Sequence, residues 1–326
     1  MAWLFIYLGA NGFLMIRTLV VYASRYGSTE EVARDIALVL GPSKCISCHE
    51  FGPACENFEM VVLGGPIYSG EVLPELDEFV GQHHHWISSR HLAMFIVGLD
   101  GSDSPISEFC RRHDLGLIWS GTLGGRLDLC SVSPEDYPNG ERYLHSIGHR
   151  STSVNLLVRK EGLQAAMDIK TARDLIDSDM DENSRRQAVE GYLRSRSTCV
   201  LATHSEFGIR ATPLEYHYFE GAMYILTEGG EKMAHLMLRP DVSVAVNDEF
   251  KGKGSLFGLQ LRGRAEIITP SSSSYDQALK DSGYDPCRLR KLPFDMCLIK
   301  IDIIEAELLS SALQRSGRAI RQRVLF

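Results

Sequence analysis

The chain has 326 residues, 44% hydrophobic and 23% charged, with a net charge of −8. That length suits two domains rather than one. The composition excludes intrinsic disorder, a collagen-like fibre and a disulfide scaffold, and the acidic surplus argues against a nucleic-acid partner.

The first fifteen residues, MAWLFIYLGANGFLM, are apolar but lack the basic region and cleavage site of an export signal. They are also shorter than the ~20 apolar residues that span a bilayer. We expect Met15 to be the natural start; a weak membrane-surface anchor is the other reading. Leu19–Ala23 is a continuous apolar run, the mark of a strand buried on both faces. The polar turn Ser24–Thr29 follows. A helix is predicted over Glu30–Leu40, where Val32, Ile36 and Leu40 recur every fourth residue and Gly41-Pro42 stops it. Cys45–His49 reads C-x-x-C-H, the form of c-type haem attachment, but that chemistry needs export, so a chance pattern is expected. The eight cysteines are scattered, which fits a reduced, cytoplasmic protein.

Met60–Leu63 and Leu92–Val97 are further buried strands, Leu115–Leu123 a fourth, and helices are predicted near Leu73–Val80 and Leu163–Ile176. Strands alternating with helices imply an α/β doubly wound parallel sheet, which binds ligands beyond the carboxyl ends of its strands. His83-His84-His85 is expected on a solvated loop rather than at a metal, because adjacent histidines point apart. Asp177–Asn183 is an acidic, polar linker. Beyond it come a helix over Ser184–Arg194 and strands at Thr198–Thr203, Ile209–Phe219, Met223–Thr227, Asp241–Asn247, Leu259–Ile268 and, as the last, Cys297–Ile303. A short helix is expected over Lys232–Leu238, with His235 on its surface. This pattern predicts a small α+β β-barrel. Arg315, Arg318, Arg321 and Arg323 are expected in a solvated tail. Charge separates the halves: residues 1–180 carry 14 Lys and Arg against 23 Asp and Glu, a net of −9, whereas 181–326 carry 20 against 19, a net of +1.

The turn Ser24-Arg25-Tyr26-Gly27-Ser28-Thr29 offers three hydroxyl-bearing Ser and Thr side chains, a glycine and backbone N–H groups at a helix N-terminus. It can wrap a phosphate, or it can be an ordinary capped turn with Ser28 or Thr29 as the cap. It is neither a Walker loop nor a dinucleotide fingerprint. Between strand and helix, it resembles the flavodoxin phosphate loop T-x-T-G-x-T, with Ser24 and Tyr26 in place of the first two threonines and Gly27 and Thr29 matching. The segment Pro66, Ile67, Tyr68 and Ser69 then resembles the flavodoxin loop beside the isoalloxazine ring. Gly98, Leu99, Asp100 and Gly101 follow a strand where the other ring-side loop belongs. The resemblance covers residues 17–178 and implies FMN. Gly64-Gly65-Pro66-Ile67-Tyr68 and Gly124–Asp128 look closest to the menaquinone-dependent protoporphyrinogen oxidase branch, which would imply quinone or porphyrin as redox partner.

Residues 184–326 resemble the pyridoxamine 5′-phosphate oxidase-like split barrels. Arg210-Ala211-Thr212-Pro213-Leu214, Tyr224–Thr227, Lys232–Leu236 and Arg239–Val242 carry that likeness. It implies that Thr227 and Lys232 hold an FMN phosphate, that the Arg210, Thr212 and Leu214 strand and Gln260 approach the ring, and that the barrel dimerises. Glu228 and Glu231 depart from the pattern and must point away from a phosphate. The expectation is therefore an FMN-binding oxidoreductase or electron-transfer flavoprotein. The alternative is a non-enzymatic flavodoxin-type carrier or a flavin- or haem-binding sensor. A redox protein or quinone is the expected partner, with no integral membrane segment.

Overall fold

The computed structural model describes residues 15–326, apart from 69, 100–103, 147, 149 and 150. These form two compact units, Ile16–Asp174 and Leu175–Phe326 with Met15.

The first unit runs β1 (Thr18–Tyr22), α1 (Ser28–Leu40), β2 (Ser43–Ser47), β3 (Met60–Tyr68), β4 (Glu71–Val72), α2 (Pro74–Ile87), β5 (His91–Gly98), α3 (Ser104–Arg112), β6 (Trp119–Gly124), β7 (Arg126–Asp128), α4 (Tyr137–Ser146), β8 (Ser153–Asn155) and α5 (Arg159–Asp177). Five strands are parallel in the order β2-β1-β3-β5-β6, the flavodoxin-like arrangement, and β4 turns back on β3. Every residue of β1 is buried because helices cover both faces. Alternate strand residues serve opposite cores. Leu19, Val21, Leu63 and Ile96 pack against Leu76, Phe79 and Phe109, from α2 and α3. Val20, Val62 and Phe95 pack against Ile36, Leu40, Ala166 and Ile169, from α1 and α5. Gly64 has no room for a side chain, since a Cβ there would lie 2.3 Å from the Phe95 ring.

Between β6 and α5 the chain makes a small structure of its own. β7 and β8 pair antiparallel, α4 lies between them in sequence, and Leu129, Leu144 and Val154 form its core with Leu99, Leu127 and Val132 packed against it.

The second unit runs α6 (Glu182–Ser195), β9 (Thr198–Ser205), β10 (Gly208–Glu215), β11 (His217–Phe219), β12 (Ala222–Thr227), α7 (Glu231–Leu238), β13 (Asp241–Asn247), β14 (Phe257–Ile268), α8 (Tyr275–Asp281), α9 (Pro286–Leu289), β15 (Cys297–Ser310), α10 (Ser311–Arg315) and β16 (Arg321–Leu325). Its antiparallel sheet has the order β10-β9-β13-β14-β15-β12-β11, with β16 on β15. The long β14 and β15 bend at a bulge between Arg262 and Gly263. β10 contacts β12, so the sheet curls into a barrel around Leu201, Val244, Leu261, Ile299 and Ile301.

Several expectations need correction. Ile209–Phe219 is two strands, not one: Tyr216 turns inward, 1% exposed, and its hydroxyl donates to the Leu193 carbonyl at 3.0 Å. Cys297–Ile303 is not the last strand; β15 continues to Ser310, and β16 follows in place of a solvated tail. Arg323 is 5% exposed and pairs with Glu305. His83–His85 lie at the end of α2 rather than on a loop, the His83 ring 4.4 Å from Phe51 and 4.9 Å from Phe79. His235 is buried, not on the surface, with Nδ1 2.9 Å from the Ser205 hydroxyl. Cys48 is buried in the first unit's core, where burial pushes its thiol pKa up.

Candidate functional site

A cavity of about 210 Å³ opens beyond the carboxyl ends of β1, β3 and β5. Ser24, Arg25, Tyr26, Ser28 and Thr29 line one side, and Pro66, Ile67, Tyr68, Gly98 and Leu99 line another. The structure therefore gathers the three loops singled out in the sequence of this half. Ser69, Asp100 and Gly101 lie outside the described residues.

The turn is built by Gly27. It stands just before α1 at φ +86°, a left-handed conformation that favours glycine, and its N–H donates to the Ser24 hydroxyl at 3.1 Å. The expected cap at Ser28 or Thr29 is absent, because both already belong to the helix, and no side chain caps α1. The first N–H groups of α1 are thus left for another acceptor, beside the Ser28 and Thr29 hydroxyls. The acidic side chains of that turn face cations: Glu30 pairs with Arg34 at 2.6 Å and Glu31 with Arg126 at 3.3 Å.

Arg25 reaches Glu75 at 3.1 Å and Asp136 at 3.7 Å, with its guanidinium 5.9 Å from the Tyr68 ring centre. The bond to Glu75 holds the Arg25 pKa above its ordinary value. Tyr68 is pushed up to about 12 by burial, so its hydroxyl stays protonated at neutral pH. Tyr26 donates to Asp136 Oδ2 at 2.5 Å.

The remaining wall was not singled out as a site in the sequence. Gly125, Arg126, Leu127, Val132, Asp136, Asn139, Gly140 and Tyr143 come from the segment between β6 and α5. One signal was there: roughly thirty residues separate that strand from that helix, where a connection of about 4–6 is usual.

In the barrel, the residues singled out fall around the start of α7. Thr227 is 1% exposed, and its hydroxyl accepts from the Gly229 N–H at 3.2 Å. Lys232 is 6% exposed and its ammonium donates to the Gly229 carbonyl. Glu231 turns to Arg210, which reaches it from β10. Thr212 and Leu214 follow on β10; the Thr212 hydroxyl oxygen is buried without a hydrogen-bond partner, as is that of Thr203 on β9. Gln260 is exposed on β14, opposite Ala245 and Glu307.

Residues 19–112 match the family model of the flavodoxin domain. No curated protein matches the chain. Solved structures with some likeness include an FAD-binding protein from Mesorhizobium loti, 20% identical over 36% of this chain and 89% of that one, TM-score 0.28. A putative pyridoxamine 5′-phosphate oxidase from Corynebacterium glutamicum is 20% identical over 39% and 87%, TM-score 0.28. An archaeal flavodoxin is 15% identical over 48% and 99%, TM-score 0.30. The chain joins an α/β unit with the flavodoxin-like strand order, within which residues 19–112 match the flavodoxin model, to a unit built on a curled antiparallel sheet.

Proposed function

We propose that the protein is an FMN-dependent oxidoreductase with one flavin site in each unit. The observation that carries the reading is the uncapped start of α1, opening with three hydroxyls onto a cavity. A phosphate dianion fits that set: it needs donors, and the Ser24, Ser28 and Thr29 hydroxyls and the helix N–H groups are donors. Arg25 adds a positive charge at the rim. Pro66, Ile67 and Tyr68 would hold one side of the ring, and Gly98 and Leu99 the other.

In the barrel, Thr227 and Lys232 would take the phosphate, and Arg210 holds the Glu231 carboxylate by an ion pair. The buried, unpartnered Thr212 hydroxyl fits a ligand that would supply its missing bond. Leu214 and Gln260 would face the ring, and the barrel would pair with a second copy.

Bound flavin supplies transfer of one or two electrons. The protein's part is to fix the phosphate, shield the ring with Tyr68 and keep that hydroxyl protonated. The redox partner would be a quinone, a porphyrin or another protein. The net charge of −9 on residues 1–180 favours a basic docking surface if that partner is a protein.

The test is titration of flavin-free full-length protein with FMN, followed by hydrogen exchange. Slowed exchange over residues 24–29 is the expected result. Tight FMN binding with no protection there would refute the assignment.

A further inference from the structure

We propose that Thr203 is a further binding residue for the barrel's flavin, paired with Thr212 so that two uncharged hydroxyls meet the polar edge of the ring. The inference rests on the barrel site proposed above. It concerns the ring, whereas Thr227 and Lys232 concern the phosphate.

The strand register brings the two threonines together. Thr203 lies on β9 opposite Arg210 of β10, and Thr212 lies opposite Leu201. Residues opposite each other in an antiparallel pair face the same way, as do residues two apart on one strand. Thr203, Thr212 and Leu201 therefore share one face, and Leu201 places that face in the barrel core. Diagonal neighbours of this kind stand about 7–8 Å apart, close enough for one ligand group to reach both hydroxyls. α7 closes over the same core, where its Met233 and Leu236 pack.

Both hydroxyls are unspent. Thr203 is 2% exposed, and neither its oxygen nor that of Thr212 has a hydrogen-bond partner among the described residues. Polar neighbours on the same face are committed elsewhere. Ser205 Oγ accepts from the Phe207 N–H at 3.1 Å and lies 2.9 Å from His235 Nδ1. Arg210 crosses to Glu231 at the start of α7. A buried polar group without a partner carries a desolvation penalty, so two of them on neighbouring strands point to a ligand.

The chemistry of the pair selects the ligand group. A hydroxyl both donates and accepts, and it carries no charge. A phosphate calls for a cation, and Arg210 on this face is turned to Glu231. A flavin ring presents a carbonyl, an N–H and a second carbonyl along one edge, which two hydroxyls can match. The Arg210–Glu231 pair spans the gap between β10 and α7. Both side chains are exposed, so the pair is weak and can part to admit that edge.

The test titrates flavin-free full-length protein with FMN and follows hydrogen exchange over residues 198–238, which reports on the barrel. Thr203→Val and Thr212→Val keep the side-chain shape and remove one hydroxyl each. Each variant is expected to bind FMN at the barrel about 2- to 10-fold more weakly, the value of one uncharged hydrogen bond. Without flavin, each is expected to melt no lower than the unaltered protein, because the deleted hydroxyl had no partner to lose. A merely structural threonine would instead lower the melting temperature. Unchanged FMN affinity in both variants, or flavin-free variants that melt lower, would overturn the proposal. Lys232→Met separates this inference from the reading beneath it. Weaker FMN binding in Lys232→Met, with no change in either valine variant, overturns the inference alone. If FMN slows no exchange over residues 198–238 in the unaltered protein, the barrel site falls and the inference with it.

Discussion

At the scale of single residues, the Ser24–Thr29 turn carries the sharpest expectations. Thr29 is 1% exposed and lines the cavity, so Thr29→Val keeps its shape and removes only the hydroxyl. A hydrogen bond to a charged group contributes about 1.5–3 kcal/mol, so FMN affinity should fall roughly 10- to 100-fold in a fluorescence titration. An unchanged affinity would remove Thr29 from the site. Tyr68 gives a pH signature. Burial raises its folded-state value to about 12 from an ordinary 10.0. Its contribution to stability is therefore present in full below pH 10 and is lost as the pH rises towards 12. Alkaline titration of tyrosinate absorbance should show one late step missing in Tyr68→Phe. Tyr26 teaches a different lesson. In the sequence it reads as a replaced hydroxyl of the phosphate pattern, whereas its hydroxyl bonds to Asp136, 110 positions further along the chain. No local pattern can announce a partner that distant.

At the scale of elements, local signals were legible where one element decides its own fate. Leu19–Ala23, Met60–Leu63 and Leu92–Val97 read as buried strands because helices cover both faces of the sheet. The Val32, Ile36 and Leu40 stripe reads as a helix because all three face one core. Ile36→Ala should cost about 2–5 kcal/mol in a urea unfolding curve, as a fully buried side chain leaves a cavity. Gly27→Ala should cost about 1 kcal/mol, from its positive φ alone, since nothing lies within 4 Å of a Cβ there. β16 was illegible for the reverse reason. Its arginines look like a solvated run until β15 supplies Glu305 and Glu307 as partners. The segment carrying α4 was missed likewise, because its apolar residues are few and serve a small core of their own.

At the scale of the whole molecule, the chain combines an α/β unit and an antiparallel barrel, and its two halves differ in charge. Association of the acidic first half with a basic redox protein should slow as salt rises, because exposed charges are screened beyond about 10 Å at 0.1 M. Stopped-flow rates over a salt series would show it, and a flat series would exclude electrostatic docking. The division of labour between the units rests on occupancy, so the most direct measurement is the flavin-to-chain ratio of full-length protein reconstituted with FMN and freed of excess. The account predicts one FMN for each unit, with Thr29→Val weakening the first and Lys232→Met the second. A chain that retains no FMN under these conditions would contradict it.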